Sequence, residues 1–200
     1  GIVNTSRTCC RQIFSLINCP GSNDFRNELV RATAAYPHLL RMHLRDQWLP
    51  HEIEHLLDET LLKMLEKEQN RPIALLHWMG MEFKKGTEMG WIHIYHQGVL
   101  EGTLTDFANL QGGCERIKAT PIPFSYNVLL HRIVAIYCLT LPFGLVTQIG
   151  WLTPIVVGVI SYAFLGLDAI GDEIENPFEG SINDLPLNAI SHMIESNLRQ

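Results

Sequence analysis

The stretch IVAIYCLTLPFGLVTQIGWLTPIVVGVISYAFLGL, from Ile133 to Leu167, carries no Asp, Glu, Lys, Arg or His. A bilayer core about 30 Å thick needs roughly 20 apolar residues for each helical crossing. The stretch is too long for one comfortable span and suits two shorter ones. Thr147, Gln148 and Gly150 break it in the middle. The pattern therefore predicts a transmembrane hairpin, one helix from Asn127 to Val146 and a second from Trp151 to Ile170. The alternative is a buried helical hairpin in a large soluble protein, because Pro142, Pro154 and Gly158 are tolerated in either setting.

The ends of the hairpin fit a membrane. His131 and Arg132 fall in the first turns of one helix and Asp168 in the last turns of the other, so both charged ends lie on the same side. Arg116, Lys118 and Arg132 mark that side as cytoplasmic, since acidic residues weigh little in the positive-inside bias. An arginine within a span usually faces protein or water, so Arg132 is expected to pair with Asp168 across the hairpin, the alternative being a place in an ion path. Trp151 and Tyr162 are candidate interface anchors.

The 200 residues are 46% hydrophobic, but the apolar weight lies in the second half. A net charge of −6 leaves no basic face for phosphates and argues against a nucleic-acid partner. The five cysteines lack metal-ligand spacing and read as reduced thiols. The opening GIVNTSRTCCRQIFSLI reads as mid-helix, so a segment ahead of Gly1 is expected.

Upstream of the hairpin the periodicity is helical throughout. Helices are expected over Ile2–Ile17, Asp24–Gln47, His51–Lys67, Pro72–Lys85 and Trp91–Gln111, the last closed by Gly112 and Gly113. In the second, Leu29, Leu39, Leu40 and Leu44 make an apolar side, Arg26, Arg31, Arg41 and Arg45 a basic complement, and Pro37 a kink. A short amphipathic helix, Leu187 to Leu198, ends the chain.

His51-Glu52-Ile53-Glu54-His55 matches H-E-x-x-H, which on a helix sets two imidazoles on one face for Zn²⁺ with Glu52 as general base. It carries the rival reading, a zinc metalloprotease using His51, Glu52 and His55. Pro50 weighs against it by placing His51 in a first turn, where Glu52 and Glu54 simply favour the positive end of the helix dipole. His93 and His96, with Cys114 and Glu115, form a weaker metal-like set. No resident metal or cofactor is expected.

Three blocks carry a resemblance. ATPIPFSY from Ala119 to Tyr126 is followed by Leu130-His131-Arg132 and by LPFGL from Leu141 to Leu145. Next come Ser161-Tyr162, Gly166-Leu167-Asp168, Glu173-Ile174-Glu175 and Pro177-Phe178. Asn183-Asp184-Leu185-Pro186-Leu187 lies behind them. Together they resemble the bestrophin family, especially its bacterial branch, densely from Gly112 to Leu187 and collinearly before that.

The resemblance implies an all-α membrane protein with a transmembrane hairpin and a cytosolic helical bundle. It also implies a homopentamer around one passive ion pore, in a plasma or inner membrane. Residues 1–20 would end a membrane or pore helix, 21–120 would be cytosolic, 121–171 the hairpin and 172–200 a cytosolic loop and helix. The conducted ion would be chloride or another anion, with monovalent cations as the alternative. A non-conducting scaffold on the same fold is a third reading. The cytosolic aperture falls at Tyr95, with Ile94 adjacent; phenol rings would then stand where the family shows aliphatic side chains. A cation site falls at Glu173, Asn176 and Asp184. Calcium is its candidate ion, although Ser181 replaces one acid of the animal pattern.

Overall fold

The computed structural model describes residues 1–19, 23–120, 123–175, 177–180 and 184–199. Its helices are α1 (Ile2–Leu16), α2 (Asp24–Leu44), α3 (Glu59–Glu66), α4 (Arg71–Glu88), α5 (Ile94–Ala119), α6 (Phe124–Ile149), α7 (Thr153–Glu175) and α8 (Leu187–Leu198). Pro50–Glu52 and Gly150–Leu152 are single 3-10 turns. The chain divides into two units, Gly1–Ile117 with Pro186–Gln200, and Lys118–Leu185. The division gathers α8 with the first unit, where the sequence suggested a separate C-terminal segment.

The first unit is built on α2, which packs against α1, α4 and α8. Residues 32–42 of α2 are buried without interruption, as expected of a helix enclosed on all sides rather than along one stripe. Leu29, Ala32, Ala35, Tyr36, Leu39 and Leu40 of α2, Leu75, Met79 and Phe83 of α4, and Leu100, Leu104 and Phe107 of α5 are all buried. The Tyr36 and Phe107 rings lie 4.7 Å apart. Pro37 sits inside α2 without ending it. Arg41, assigned by sequence to a basic face, is 3% exposed. Its guanidinium is held by Glu52 and by Asn188 Oδ1, the latter at 3.0 Å. Tertiary partners turned a surface arginine into a core one.

Two sequence expectations are corrected here. The helix expected over His51–Lys67 is a 3-10 turn, a run of turns and then α3, because Pro50 opens the segment and the Glu52 side chain is drawn to Arg41. The helix expected to close at Gly112 and Gly113 continues as α5 to Ala119. Two glycines cost a helix about 1 kcal/mol each relative to alanine, but polar side chains pin α5 beside them. Gln111 Nε2 donates to Asn70 Oδ1 at 2.8 Å and to Glu115 Oε1 at 2.7 Å. Tyr36 Oη lies 3.2 Å from Gln111 Oε1. Asn70 also caps α4, accepting from the Ile73 N–H at 3.4 Å.

In the second unit α6 and α7 pack together along their lengths. Their contacts run in opposite senses: Asn127 to Glu175, His131 to Asp168, Tyr137 to Phe164. The turn forms at Gly150, whose φ of 57° lies in the left-handed region that only glycine adopts without strain. Thr153 Oγ1 donates to the Gly150 carbonyl at 2.5 Å and starts α7. α6 overruns its expected limits at both ends and α7 at its C-terminal end, because a helix satisfies its own backbone and need not stop where the apolar residues do. Segment Ser125–Gly171 is apolar and long enough to cross a membrane, and only 6% of its most apolar window is buried in this chain. Trp151 and Tyr162 are each 83% exposed.

Candidate functional site

The candidate aperture is positioned by the α4–α5 link. Gly90, with φ of 75°, reverses the chain after α4. The Trp91 and Ile92 N–H groups then both donate to the Gly86 carbonyl, at 2.8 and 3.1 Å. The fit there is close, since a Cβ on Gly86 would lie 2.8 Å from Ile92 Cδ1. Ile92 pairs with Ile17 in an isolated antiparallel bridge, and the Asn18 N–H donates to the Trp91 carbonyl at 2.8 Å. The Trp91 ring meets Phe25 edge-on at 5.2 Å. With the link anchored on its inner side, the first turn of α5 presents Ile94 and Tyr95 outward, 66% and 80% exposed. His93 Nδ1 accepts from the Tyr95 N–H at 3.4 Å, and its ring lies 5.3 Å from the phenol. This edge offers a rim of isoleucine, phenol and imidazole.

The other sequence candidates fare differently. Glu173 lies in α7, near its C-terminal end. Asp184 Oδ2 accepts from the Gly180 N–H at 2.5 Å. The Leu185 N–H donates to the Pro177 carbonyl at 3.2 Å. Asn176 lies outside the described residues. The expected Arg132–Asp168 pair is replaced: Asp168 Oδ1 lies 3.1 Å from His131 Nδ1. One residue along a helix turns a side chain by about 100°, and it is His131 that points at α7.

The zinc-protease set is not assembled. His51 stays exposed, Glu52 is bound to Arg41, and His55 Nε2 lies 2.7 Å from Glu195 Oε1. His93 and His96 are neighbours, their rings 5.8 Å apart. Cys114 stands five turns further along α5 than His96, roughly 27 Å at about 1.5 Å per residue. Glu115 belongs to another cluster, with His43 Nε2 at 2.9 Å, Asn70 and Gln111 around one oxygen. Burial raises the Glu115 pKa, but hydrogen bonds from Gln111, Asn70 and His43 outweigh it and hold the carboxyl below its ordinary value. The described cysteines are all free. Cys9 is fully buried.

Sequence reasoning missed the buried polar centre on α8. Ser191, Ile194, Glu195 and Leu198 form its inner face, so a glutamate occupies a position where the helical period calls for an apolar residue. That mismatch was the available signal. Glu195 gathers His38, His55 and Arg199, at 3.0, 2.7 and 2.7 Å. Burial alone would raise its pKa, but the His55 hydrogen bond and the Arg199 charge bring it below the ordinary value. His38, fully buried, is shifted the other way: desolvation outweighs the pull of Glu195 and favours the neutral ring.

Comparison with known proteins bears on these sites. The profile described as Bacterial/Fungal Bestrophin protein matches residues 1–200. The chain is 35% identical over 198 residues to the voltage-dependent anion channel-forming protein of Ralstonia nicotianae, covering 99% of this chain and 65% of that protein. It is 37% identical over 199 residues to the voltage-dependent anion channel-forming protein YneE of Escherichia coli K12, covering 98% of this chain and 63% of that one. The chain thus spans less than two thirds of the length of these relatives. A crystal structure of a bacterial bestrophin homolog from Klebsiella pneumoniae, carrying one point mutation, superposes with a TM-score of 0.91 at 33% identity. That match covers 98% of this chain and 73% of the homolog.

Proposed function

The chain belongs to the bacterial and fungal bestrophin family, and on that premise we propose that it is a subunit of a passive ion channel conducting chloride or other small anions. The observation that carries the proposal is an apolar α6–α7 pair with almost no buried surface, on a chain related along its length to proteins named as anion-channel-forming. The chain is an integral membrane protein. In the proposed arrangement α6 and α7 cross the membrane as a hairpin, in the plasma or inner membrane, residues 1–20 end a membrane or pore helix, and residues 21–120 lie in the cytosol.

A single apolar hairpin cannot enclose a wet pore, so the channel is a ring of copies of this chain, five in the family-like arrangement. A closed ring uses heterologous interfaces. The outward-facing Ile94 and Tyr95 would then form the cytosolic aperture. Rings of side chains set selectivity and apolar constrictions gate by dewetting. Five phenols can meet an anion with their O–H groups, and the anion reading rests on the relatives named as anion-channel-forming. Glu173, Asn176 and Asp184 remain the proposed cation site, with calcium its candidate ion.

The test is reversal potential in planar bilayers under an asymmetric KCl gradient. Reversal near the chloride potential is the expected result. Reversal near the potassium potential would transfer the assignment to a cation channel. No current from well-assembled rings would leave the non-conducting scaffold.

A further inference from the structure

Three histidines from three parts of the first unit converge at one buried carboxylate. His38 comes from α2, His55 from the turn before α3, and His192 and Glu195 from α8. The two oxygens of Glu195 are used differently. Oε1 takes His55 Nε2 and Arg199 Nη2, both at 2.7 Å. Oε2 has an imidazole on each side, His38 Nε2 at 3.0 Å and His192 Nδ1 at 3.9 Å. The His38 and His192 rings stand 5.1 Å apart at a steep angle. One donor atom from each of His38, His192 and Glu195 falls within 4.8 Å of the others.

We propose that His38, His192 and Glu195 form a zinc site that staples α8 to α2. Two imidazoles and a carboxylate are a donor set suited to Zn²⁺, with ligand bonds of about 2.0–2.2 Å and a fourth position left for water. Nitrogen donors disfavour Mg²⁺ and Ca²⁺, which take oxygen. Tetrahedral bonds of that length bring donor atoms to about 3.3 Å from one another. Little movement is needed to reach this. Glu195 and His38 are already closer, and the His192 side chain, 65% exposed, is free to swing inward. The remaining oxygen of Glu195 stays with His55 and Arg199, which orient the carboxylate as outer-shell partners do. In the metal-free protein Glu195 holds the His38 proton on Nε2; no protein group occupies His38 Nδ1, so the ring proton can move there when zinc takes Nε2. His55 thus belongs to a metal-type cluster, but through Glu195 and not through the His51-Glu52 pattern in which the sequence displayed it.

The test is isothermal titration of ZnCl₂ into tag-free, chelator-stripped protein in detergent, with MgCl₂ and CaCl₂ titrated at the same concentrations. One zinc per chain, with a raised thermal midpoint and no saturable heat at this site from the other two ions, is the expected result. His192→Ala and Glu195→Gln should each weaken zinc binding at least about tenfold, and zinc should no longer raise the midpoint of His192→Ala. Because His192 is exposed, that variant tests the site without threatening the fold. His51→Ala should bind as the parent does. Absence of zinc binding by the parent protein, or affinity unchanged in His192→Ala, would overturn the proposal.

Discussion

His131 Nδ1 on α6 lies 3.1 Å from Asp168 Oδ1 on α7, a link made by the residue beside the arginine that charge alone would nominate. Removing it should loosen the two helices. Asp168→Ala is expected to lower stability by about 1 kcal/mol, roughly 2–4 °C in thermal midpoint for a chain of this size. Arg132→Ala should leave the midpoint in place. Equal losses in the two variants would return the pairing to Arg132.

The aperture makes a separable prediction. Tyr95 is 80% exposed, so Tyr95→Ala should leave the thermal midpoint unchanged while shifting the reversal potential or the single-channel conductance. A variant with unaltered currents would remove Tyr95 from the ion path. The anchored link behind it behaves oppositely. Gly86→Val should displace Ile92, whose Cδ1 lies 2.8 Å from a Cβ at that position, and destabilise the unit by about 1–3 kcal/mol.

The paired glycines of α5 predict a gain. No heavy atom lies within 4 Å of a Cβ built at Gly112 or Gly113. Each Gly→Ala change should stabilise the chain by about 0.4–1 kcal/mol through the unfolded state. Gln111→Ala, one residue earlier, should cost about 1–3 kcal/mol, because it strips partners from Asn70 and Glu115. Chemical denaturation in detergent compares the three.

Glu115 sets part of the acid limb of stability. Its carboxyl titrates below the ordinary glutamate value of 4.5 despite burial, through hydrogen bonds from Gln111, Asn70 and His43. A group with a depressed folded pKa contributes stability above its unfolded pKa and loses it as pH falls through the folded value. The midpoint should therefore fall as pH drops below about 4.5, and less steeply in Glu115→Gln. An unchanged slope in that variant would assign the acid limb to other carboxylates.

Glu52 distinguishes its structural role from the zinc-protease pattern. Arg41 is 3% exposed and Glu52 is its carboxylate partner, so Glu52→Ala should destabilise the first unit by about 2 kcal/mol. Full stability in Glu52→Ala, measured by thermal melting, would leave Asn188 as sufficient support for Arg41.

Much was legible in the sequence because it is local. A run without charge, broken at Thr147–Gly150, specifies two apolar helices wherever it folds, since length and hydropathy need no partner. The first turn of α4 at Pro72 and the extent of α8 were readable from proline placement and helical period. The readings that failed at Gly112–Gly113 and at His51–Leu57 were local ones overruled from outside. The Tyr36–Gln111–Asn70–Glu115 cluster carries α5 through its glycines, and Arg41 claims Glu52.

By itself the sequence determined that this chain is helical, that one segment has the apolar length for a membrane, and which blocks resemble the bestrophins. The tertiary structure alone decided which charged and polar groups meet: His131 with Asp168, Arg41 with Glu52, His38 and His55 with Glu195. The reason is physical. Hydrophobic period is written along a single element, whereas a buried polar pair depends on two elements' relative register and rotation, and one residue of helix turns a side chain by about 100°.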